Sequence, residues 1–130
     1  MTQAQEDSRY QITVSVESEY LPEQSDAEGN RWVYAYHVSI HNGGDVAARL
    51  LTRHWVITDG EERVQEVHGE GVIGEQPSIA PGQTFEYSSG AVLETSVGSM
   101  RGSYQMLAED GTCFDASIPV FTLAPPNTLH

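Results

Sequence analysis

The chain has 130 residues, enough for one domain with a core that folds unaided. Nineteen acidic residues against six basic ones give a formal net charge of -13. This balance argues against binding nucleic acid or anionic membranes through general electrostatics, because both require basic patches.

The sequence also predicts a cytoplasmic protein without membrane insertion. No apolar run approaches the ~20 residues of a membrane span, and the polar residues 1–9 contain no secretory signal. The only cysteine, Cys113, cannot form an internal disulfide, which suits a reducing compartment. We interpret Cys113 as a small strand residue, because no Cys–His motif surrounds it.

Alternation of apolar and polar residues predicts strands from Tyr10 onward, after a disordered tail over residues 1–9. Ile12, Val14 and Val16 share one face of the first strand. A loop follows over residues 22–30. The strongest strand pattern covers residues 31–41, and its apolar face consists of Trp32, Tyr34, Tyr36, Val38 and Ile40.

The pattern continues through the second half of the chain. Residues 47–58 form a strand with two faces, Leu51, Trp55 and Ile57 on one and Leu50 and Val56 on the other. Further strands are predicted over residues 63–67, around Phe85 and Tyr87 up to an interruption at residues 88–90, over 91–93, and through Met100, Tyr104 and Met106. The last strand covers residues 113–123, with Phe114, Ala116, Ile118 and Val120 on one face.

Pro119 within that last strand indicates an edge position or a bulge. Together the patterns predict an all-β fold, an antiparallel Ig-like β-sandwich of about seven or eight strands. It occupies residues 10–124 as a single domain, followed by a tail over 125–130. The inward side chains form a core between two sheets ~10 Å apart.

Three glycines, Gly69, Gly71 and Gly74, have the G-x-G-x-x-G spacing of dinucleotide-binding loops. That function requires a helix directly after the motif, and the prolines and glycine of residues 76–82 do not sustain one. Two interpretations remain: a nest of N–H groups for an anion or a partner's carbonyl, and a bulge or tight crossover at the sandwich edge. The second is favoured because Glu70 and Glu75 oppose an anion, an objection that a bridging Mg²⁺ would reverse.

Glu66, His68 and Glu70 are spaced at i, i+2 and i+4, so an extended strand places them on one face at intervals of ~6.6 Å. They offer a weak divalent-metal site, with Glu75 as a further donor, that suits cobalt or zinc better than magnesium. The alternative, a solvated acidic row, is favoured by the composition of the chain.

The remaining candidates are weaker. His37 and His41 share a face but lie ~13 Å apart, too far for one ion, and His54 approaches either only through an unknown register. Ser88 and Ser89 do not form a nucleophile elbow, which requires G-x-S-x-G on a strand-to-helix turn. We therefore predict a protein that is not an enzyme.

The segment from Gly69 to Pro77 resembles the ApaG family, also called CorD. The resemblance spans nearly all of residues 10–130. It also rests on Tyr34-Ala35-Tyr36, Arg53-His54-Trp55, Ile57-Thr58-Asp59-Gly60, Ile79-Ala80-Pro81-Gly82, Tyr87-Ser88-Ser89-Gly90-Ala91, Met100-Arg101-Gly102-Ser103-Tyr104-Gln105-Met106, Ile118-Pro119-Val120-Phe121 and the terminal Leu129-His130.

This resemblance implies a fibronectin-type-III-like sandwich. It also implies a role in protein interaction, since related domains occur in F-box proteins and in a polymerase-interacting protein. The family is further associated with cobalt resistance and magnesium efflux, and its glycine motif with pyrophosphate. Only Gly69, Gly71 and Gly74 carry over as family residues.

We accordingly expect a non-catalytic module that binds an unidentified protein partner and requires no cofactor. Trp32, Tyr34 and Trp55 would form an aromatic patch for that partner if any of them faced outward. The alternatives are a factor in cobalt or magnesium homeostasis that binds a divalent cation weakly, and a nucleotide or pyrophosphate binder at the glycine motif.

Overall fold

Eight β-strands form two antiparallel sheets in the computed structural model, which describes residues 8–126. The smaller sheet has the order β1-β2-β6, formed by β1 (Ile12–Tyr20), β2 (Trp32–Asn42) and β6 (Thr84–Leu93). The larger sheet has the order β4-β3-β7-β8, with β5 paired to β3. Its strands are β3 (Ala48–Asp59), β4 (Val64–Glu70), β5 (Ser78–Ile79), β7 (Gly98–Ala108) and β8 (Cys113–Leu123). The predicted antiparallel β-sandwich is confirmed.

Short segments outside the sheets are 3₁₀ turns at Ser8–Tyr10 and Pro22–Gln24. Of the tail expected over residues 1–9, the structure describes Ser8 and Arg9, which belong to the first turn; residues 1–7 lie outside the described part. The same holds for residues 127–130 of the C-terminal tail. No helix within residues 8–126 is long and apolar enough to cross a membrane.

The core lies between the sheets and is built from the alternating faces that the sequence predicts. Tyr34, Val38 and Ile40 of β2 are fully buried, and so is Tyr104 of β7. Trp55 is 3% exposed and packs edge-on against Tyr104. Because Tyr34 and Trp55 are buried and Trp32 is half-buried against the core, these three side chains do not form the outward aromatic patch considered above.

A β-bulge in β3 changes one predicted face. The register with β7 shifts between Leu50 and Thr52, so Leu51 is an extra residue. One extra residue reverses the alternation. Leu50 is consequently fully buried in the same core as Trp55, and the prediction that the two lie on opposite faces is wrong.

A second bulge confirms the prediction made for Pro119. Ile118 pairs with Gly102 and Phe121 pairs with Met100, so two residues of β8 stand opposite a single residue of β7. The alternation reverses here as well. Val120 is 64% exposed instead of buried, while Phe121 packs against Trp55 in its place. The predicted inward position of Val120 is wrong.

The predicted interruption at residues 88–90 is also wrong. Strand β6 continues through this segment, with Ser88, Ser89 and Gly90 paired to residues 35–37 of β2. Small polar residues are compatible with a strand when one face is solvated and the neighbour supplies a full register.

The two sheets also meet along β1 and β8, far apart in sequence. The Tyr10 hydroxyl donates to the Asp110 carboxylate at 2.6 Å and lies 3.0 Å from the Thr112 hydroxyl. The Ser18 hydroxyl donates to the Thr122 carbonyl at 3.0 Å. Together they tie β1 and the turn before it to β8 and the turn before it.

Candidate functional site

The glycine motif lies at one edge of the larger sheet, where the chain leaves β4 and returns as β5. Both strands pair with β3, whose other edge is occupied by β7, so they lie in line along one edge. The loop between them covers the bulge. The Leu51 carbonyl accepts the Gly71 N–H at 2.8 Å and the Gln76 side-chain amide at 2.9 Å. The loop that contains the motif therefore bridges the gap between β4 and β5, which pair with the same edge of β3.

Gly69 makes room for a cross-strand arginine. It pairs with Arg53, and a Cβ on Gly69 would lie 2.6 Å from the guanidinium carbon. The Arg53 guanidinium donates to the carbonyls of Glu70 at 3.1 Å and Gly71 at 2.7 Å. Arg53 thereby holds the start of the loop against β3 with hydrogen bonds from a charged donor.

Gly71 is required by both its conformation and its surroundings. Its φ is +62°, in the left-handed region, and a Cβ would lie 2.1 Å from the Glu75 carbonyl oxygen. That carbonyl accepts the Val72 N–H at 2.8 Å, and the Val72 carbonyl accepts the Glu75 N–H at 2.9 Å. A narrow pair of hydrogen bonds thus closes a tight turn around residues 73 and 74.

Ile73 is the unusual residue of this turn. Its φ is 42° and that of Gly74 is 81°, so both central residues have the positive φ of a type I′ turn, where Asn-Gly is favoured. A β-branched residue rarely adopts this conformation. While Val72 is 1% exposed and anchors the turn in the core, Ile73 is 58% exposed. The turn presents an apolar side chain to solvent at a cost in backbone strain.

The geometry gives little support for an anion in this loop. The N–H groups of Gly71, Val72 and Glu75 donate to carbonyls of the protein, so they are not directed at an anion as in a phosphate-binding nest. Glu70 and Glu75 are exposed beside the turn and repel negative charge.

The metal candidates lie on β4 next to a histidine of β3. His68 pairs directly with His54, and their rings stack with centroids 4.2 Å apart and an interplanar angle of 7°. The Glu66 carboxylate lies 2.7 Å from Nε2 of His54 and 3.9 Å from Nε2 of His68. One potential ligand atom from each of the three residues lies within 4.8 Å of the others.

Glu70 occupies the next register position along β4, opposite Thr52, and is outside this three-residue group. Glu75 lies beyond β4, in the turn. Of the donors that the sequence suggests, the structure brings Glu66 and His68 together and replaces Glu70 by His54.

Within residues 8–126, the other histidines are His37 and His41, which lie on the smaller sheet as hydrogen-bonded strand residues. His37 Nε2 lies 2.7 Å from the Glu86 carboxylate, and Nδ1 lies 2.9 Å from the Ser88 hydroxyl. The hydrogen bond from His37 holds the pKa of Glu86 below its usual value. His41 Nδ1 lies 2.9 Å from the Thr84 hydroxyl.

The line Ser88–His37–Glu86 contains the residue types of a hydrolase triad. It lies on a solvated strand surface, and Ser88 is in mid-strand instead of on the sharp turn that exposes a nucleophile beside oxyanion donors. We assign this line to cross-strand stabilisation of the sheet.

A tyrosine pair joins the two sheets inside the sandwich. The hydroxyl groups of Tyr87 and Tyr104 are 2.5 Å apart. Burial raises the pKa of Tyr87 to about 12 and that of Tyr104 further. Both phenols are therefore neutral near pH 7 and act as a buried hydrogen bond between sheets.

Sequence reasoning missed three residues of this edge: Arg53, His54 and Ile73. Arg53 and His54 depend on the register of β3 against β4, which alternation does not determine. Ile73 did carry a signal, because Ile-Gly stands where a tight hairpin turn favours Asn-Gly.

The ApaG domain family model matches residues 22–108 of the chain. The ApaG protein of Thiobacillus denitrificans is 62% identical over 125 residues, covering 96% of this chain and 98% of the relative. The ApaG protein of Pseudomonas paraeruginosa is 61% identical over 124 residues, covering 95% and 98%.

A solved structure from Bordetella pertussis, described as an ApaA protein, has a TM-score of 0.91 and 52% identity to this chain. The match covers 94% of this chain and 99% of the chain in that structure. A match to the domain model, high identity over nearly the full length and the same fold agree with the glycine motif: the chain belongs to the ApaG family.

Proposed function

We propose that this ApaG-family protein is a non-catalytic module that binds a protein partner through the turn of residues 72–75 and the adjoining strand β4. One observation carries the proposal. Ile73 is 58% exposed at positive φ, where Asn or Gly would relieve the strain without removing a core contact. An apolar side chain kept in such a position suits a pocket on another molecule.

Charge defines the kind of partner. Glu70 and Glu75 are exposed on either side of the turn, and the whole chain carries a formal net charge of -13. A basic surface that surrounds an apolar pocket is complementary to this arrangement and would be attracted at long range.

Strand β4 offers a second means of attachment. It lies at one end of the strand order of its sheet and, within residues 8–126, pairs with β3 alone. An extended segment of the partner can add to such an edge through backbone hydrogen bonds, with specificity supplied by the side chains of the turn.

The experiment compares two single variants as bait. Ile73→Asn removes the apolar side chain and installs the Asn-Gly pair that the turn favours. Val120→Asn is the matched control, because Val120 is 64% exposed and belongs to β8, at the other end of the sheet order. Affinity capture with photo-crosslinking from position 73 identifies the partner, and titration of the purified pair measures its affinity.

We expect a protein that crosslinks from position 73, is retained by the wild type and by Val120→Asn, and is lost with Ile73→Asn. For a buried apolar anchor, the loss corresponds to about 2 kcal/mol, or roughly thirtyfold in affinity. A partner that binds Ile73→Asn as tightly as the wild type would overturn the proposed surface.

The nucleotide alternative has less support, because the loop N–H groups described above bond within the protein and two glutamates flank the turn. A role in divalent-cation homeostasis requires a cation site, for which His54, Glu66 and His68 are the candidates. The cytoplasm is the compartment that we propose, since the one cysteine, Cys113, is an exposed free thiol.

A further inference from the structure

We propose that His54, Glu66 and His68 bind a divalent transition-metal ion of the zinc class and that the ion joins β4 to β3. The site shares strand β4 with the proposed partner surface, but it is argued from different residues and does not depend on a partner. Two ligands come from the edge strand β4 and one from its neighbour, so a bound ion would link the edge strand to the rest of the sheet.

The register explains why these three residues meet. His54 and His68 are directly opposite on an antiparallel pair, the closest relation between strands. Glu66 and Glu70 are the two diagonal neighbours of His54. The twist of the sheet brings one diagonal neighbour closer to His54 than the other. The contact of 2.7 Å from His54 is made to Glu66.

The distances are close to those that a metal ion requires. In a tetrahedral zinc site with bonds of about 2.0 Å, ligand atoms lie about 3.3 Å apart. Here Glu66 lies 2.7 Å from His54 and 3.9 Å from His68, and all three ligand atoms lie within 4.8 Å of one another.

Side-chain rotation is needed before the three residues can share one ion. The stacked imidazoles must turn so that both Nε2 atoms point at one ion. The His68 side chain is 71% exposed and the Glu66 side chain is 57% exposed, so both have space to turn. His54, at 29% exposure, is the more constrained ligand and fixes the position of the site.

The donor set selects the class of ion. Imidazole nitrogen with one carboxylate suits Zn²⁺, Ni²⁺, Cu²⁺ or Co²⁺, whereas Mg²⁺ prefers oxygen donors and retains its water. Three protein ligands leave a fourth position on the solvent side for water or for a group from another molecule. The strongly acidic chain raises the local concentration of cations.

The test is a calorimetric titration of the metal-free, full-length protein with Zn²⁺ at neutral pH, with Mg²⁺ as a parallel titrant. The variants are His54→Gln, Glu66→Gln and His68→Gln, all exposed or half-buried, so the fold should persist and is checked by circular dichroism. Two controls are matched. Glu70→Gln alters the other diagonal neighbour, and His37→Gln alters a His–Glu pair with the same 2.7 Å separation but outside this three-residue group.

We expect one saturable Zn²⁺ site whose affinity falls by at least about tenfold in each of the three ligand variants, because loss of even an outer partner of a metal ligand has this effect. The controls should bind as the wild type does, and Mg²⁺ should give no saturable signal. Absence of a saturable Zn²⁺ site would overturn the proposal. So would equal loss in the His37→Gln control, or loss in Glu70→Gln with His54→Gln unaffected.

A second measurement reports on the link between strands. Saturating Zn²⁺ should slow amide hydrogen exchange along β4 in the wild type and in His37→Gln, because the ion binds the folded sheet. It should leave exchange unchanged in His54→Gln, the one variant that removes the ligand on β3. Protection of β4 that persists in His54→Gln would contradict a bridging ion.

Discussion

Gly71 and Gly74 provide a matched test of what the glycine motif does. Both have positive φ, +62° and +81°. Only Gly71 has no room for a side chain: its Cβ would lie 2.1 Å from the Glu75 carbonyl oxygen, whereas nothing lies within 4 Å of the Cβ position at Gly74. Alanine at either position has the same energetic penalty for positive φ. Steric crowding adds to that penalty at position 71 alone.

The expected magnitudes follow from these contacts. Gly74→Ala should cost about 1 kcal/mol, the penalty for alanine in the left-handed region. Gly71→Ala carries that penalty and must also separate Val72 from Glu75, whose two hydrogen bonds are worth about 1 kcal/mol each. The total for Gly71→Ala is therefore about 3 kcal/mol.

Equilibrium unfolding in urea measures the free energy of unfolding of each variant. An unchanged slope of that free energy against urea concentration shows that the variants retain the wild-type denatured state. Thermal melts should agree, with the midpoint of Gly71→Ala lower by about 10 °C in a domain of this size. Equal destabilisation by the two substitutions would refute the reasoning, since it would mean that the 72–75 turn does not press against position 71.

Three further predictions concern the same edge and the core. Ile73→Asn should raise the free energy of unfolding by about 1 kcal/mol, because Asn tolerates positive φ; urea unfolding checks this, and a destabilised variant would contradict the strain at Ile73. Arg53→Lys should lower it by about 1–2 kcal/mol, since an ammonium group does not reproduce the guanidinium contacts to the Glu70 and Gly71 carbonyls; an unchanged urea midpoint would argue against them. Finally, burial raises the pKa of Tyr34 and Tyr87 from 10.0 to about 12. The folded state then retains protons that the unfolded chain loses, so stability is intact below pH 10 and falls as the pH rises from 10 to 12. Urea midpoints compared at about pH 9 and pH 11 test this sign, and equal midpoints would disprove it.

The sequence was sufficient for the sandwich because alternation is a local property. The inward face of β2, from Tyr34 to Ile40, follows from a period of two residues. Leu50 and Val120 escaped prediction because each adjoins a bulge, and one inserted residue reverses every later assignment on that strand. Pro119 indicated the bulge in β8, since proline disturbs strand pairing. The extra residue in β3, Leu51, is an ordinary strand residue whose chemistry does not indicate a bulge.

The candidate sites were only half predictable for a related reason. Glu66 and His68 lie on one strand, so spacing alone places them on one face. His54 lies on another strand, and its position opposite His68 depends on the pairing register. The shape of the glycine loop likewise depends on Arg53, a cross-strand neighbour.

The contact between Tyr10 and Asp110 has a consequence for synthesis of the chain on the ribosome. Strand β2, the hydrogen-bonded neighbour of β1, is synthesised soon after it. The Asp110 carboxylate that accepts from the Tyr10 hydroxyl is made about a hundred residues later, as is Thr112 beside it. At about 5–20 residues per second, the nascent chain must wait for seconds with one face of its first hairpin uncovered. The strongly acidic composition of the chain favours solubility during this interval, before β8 is made and the sandwich is complete.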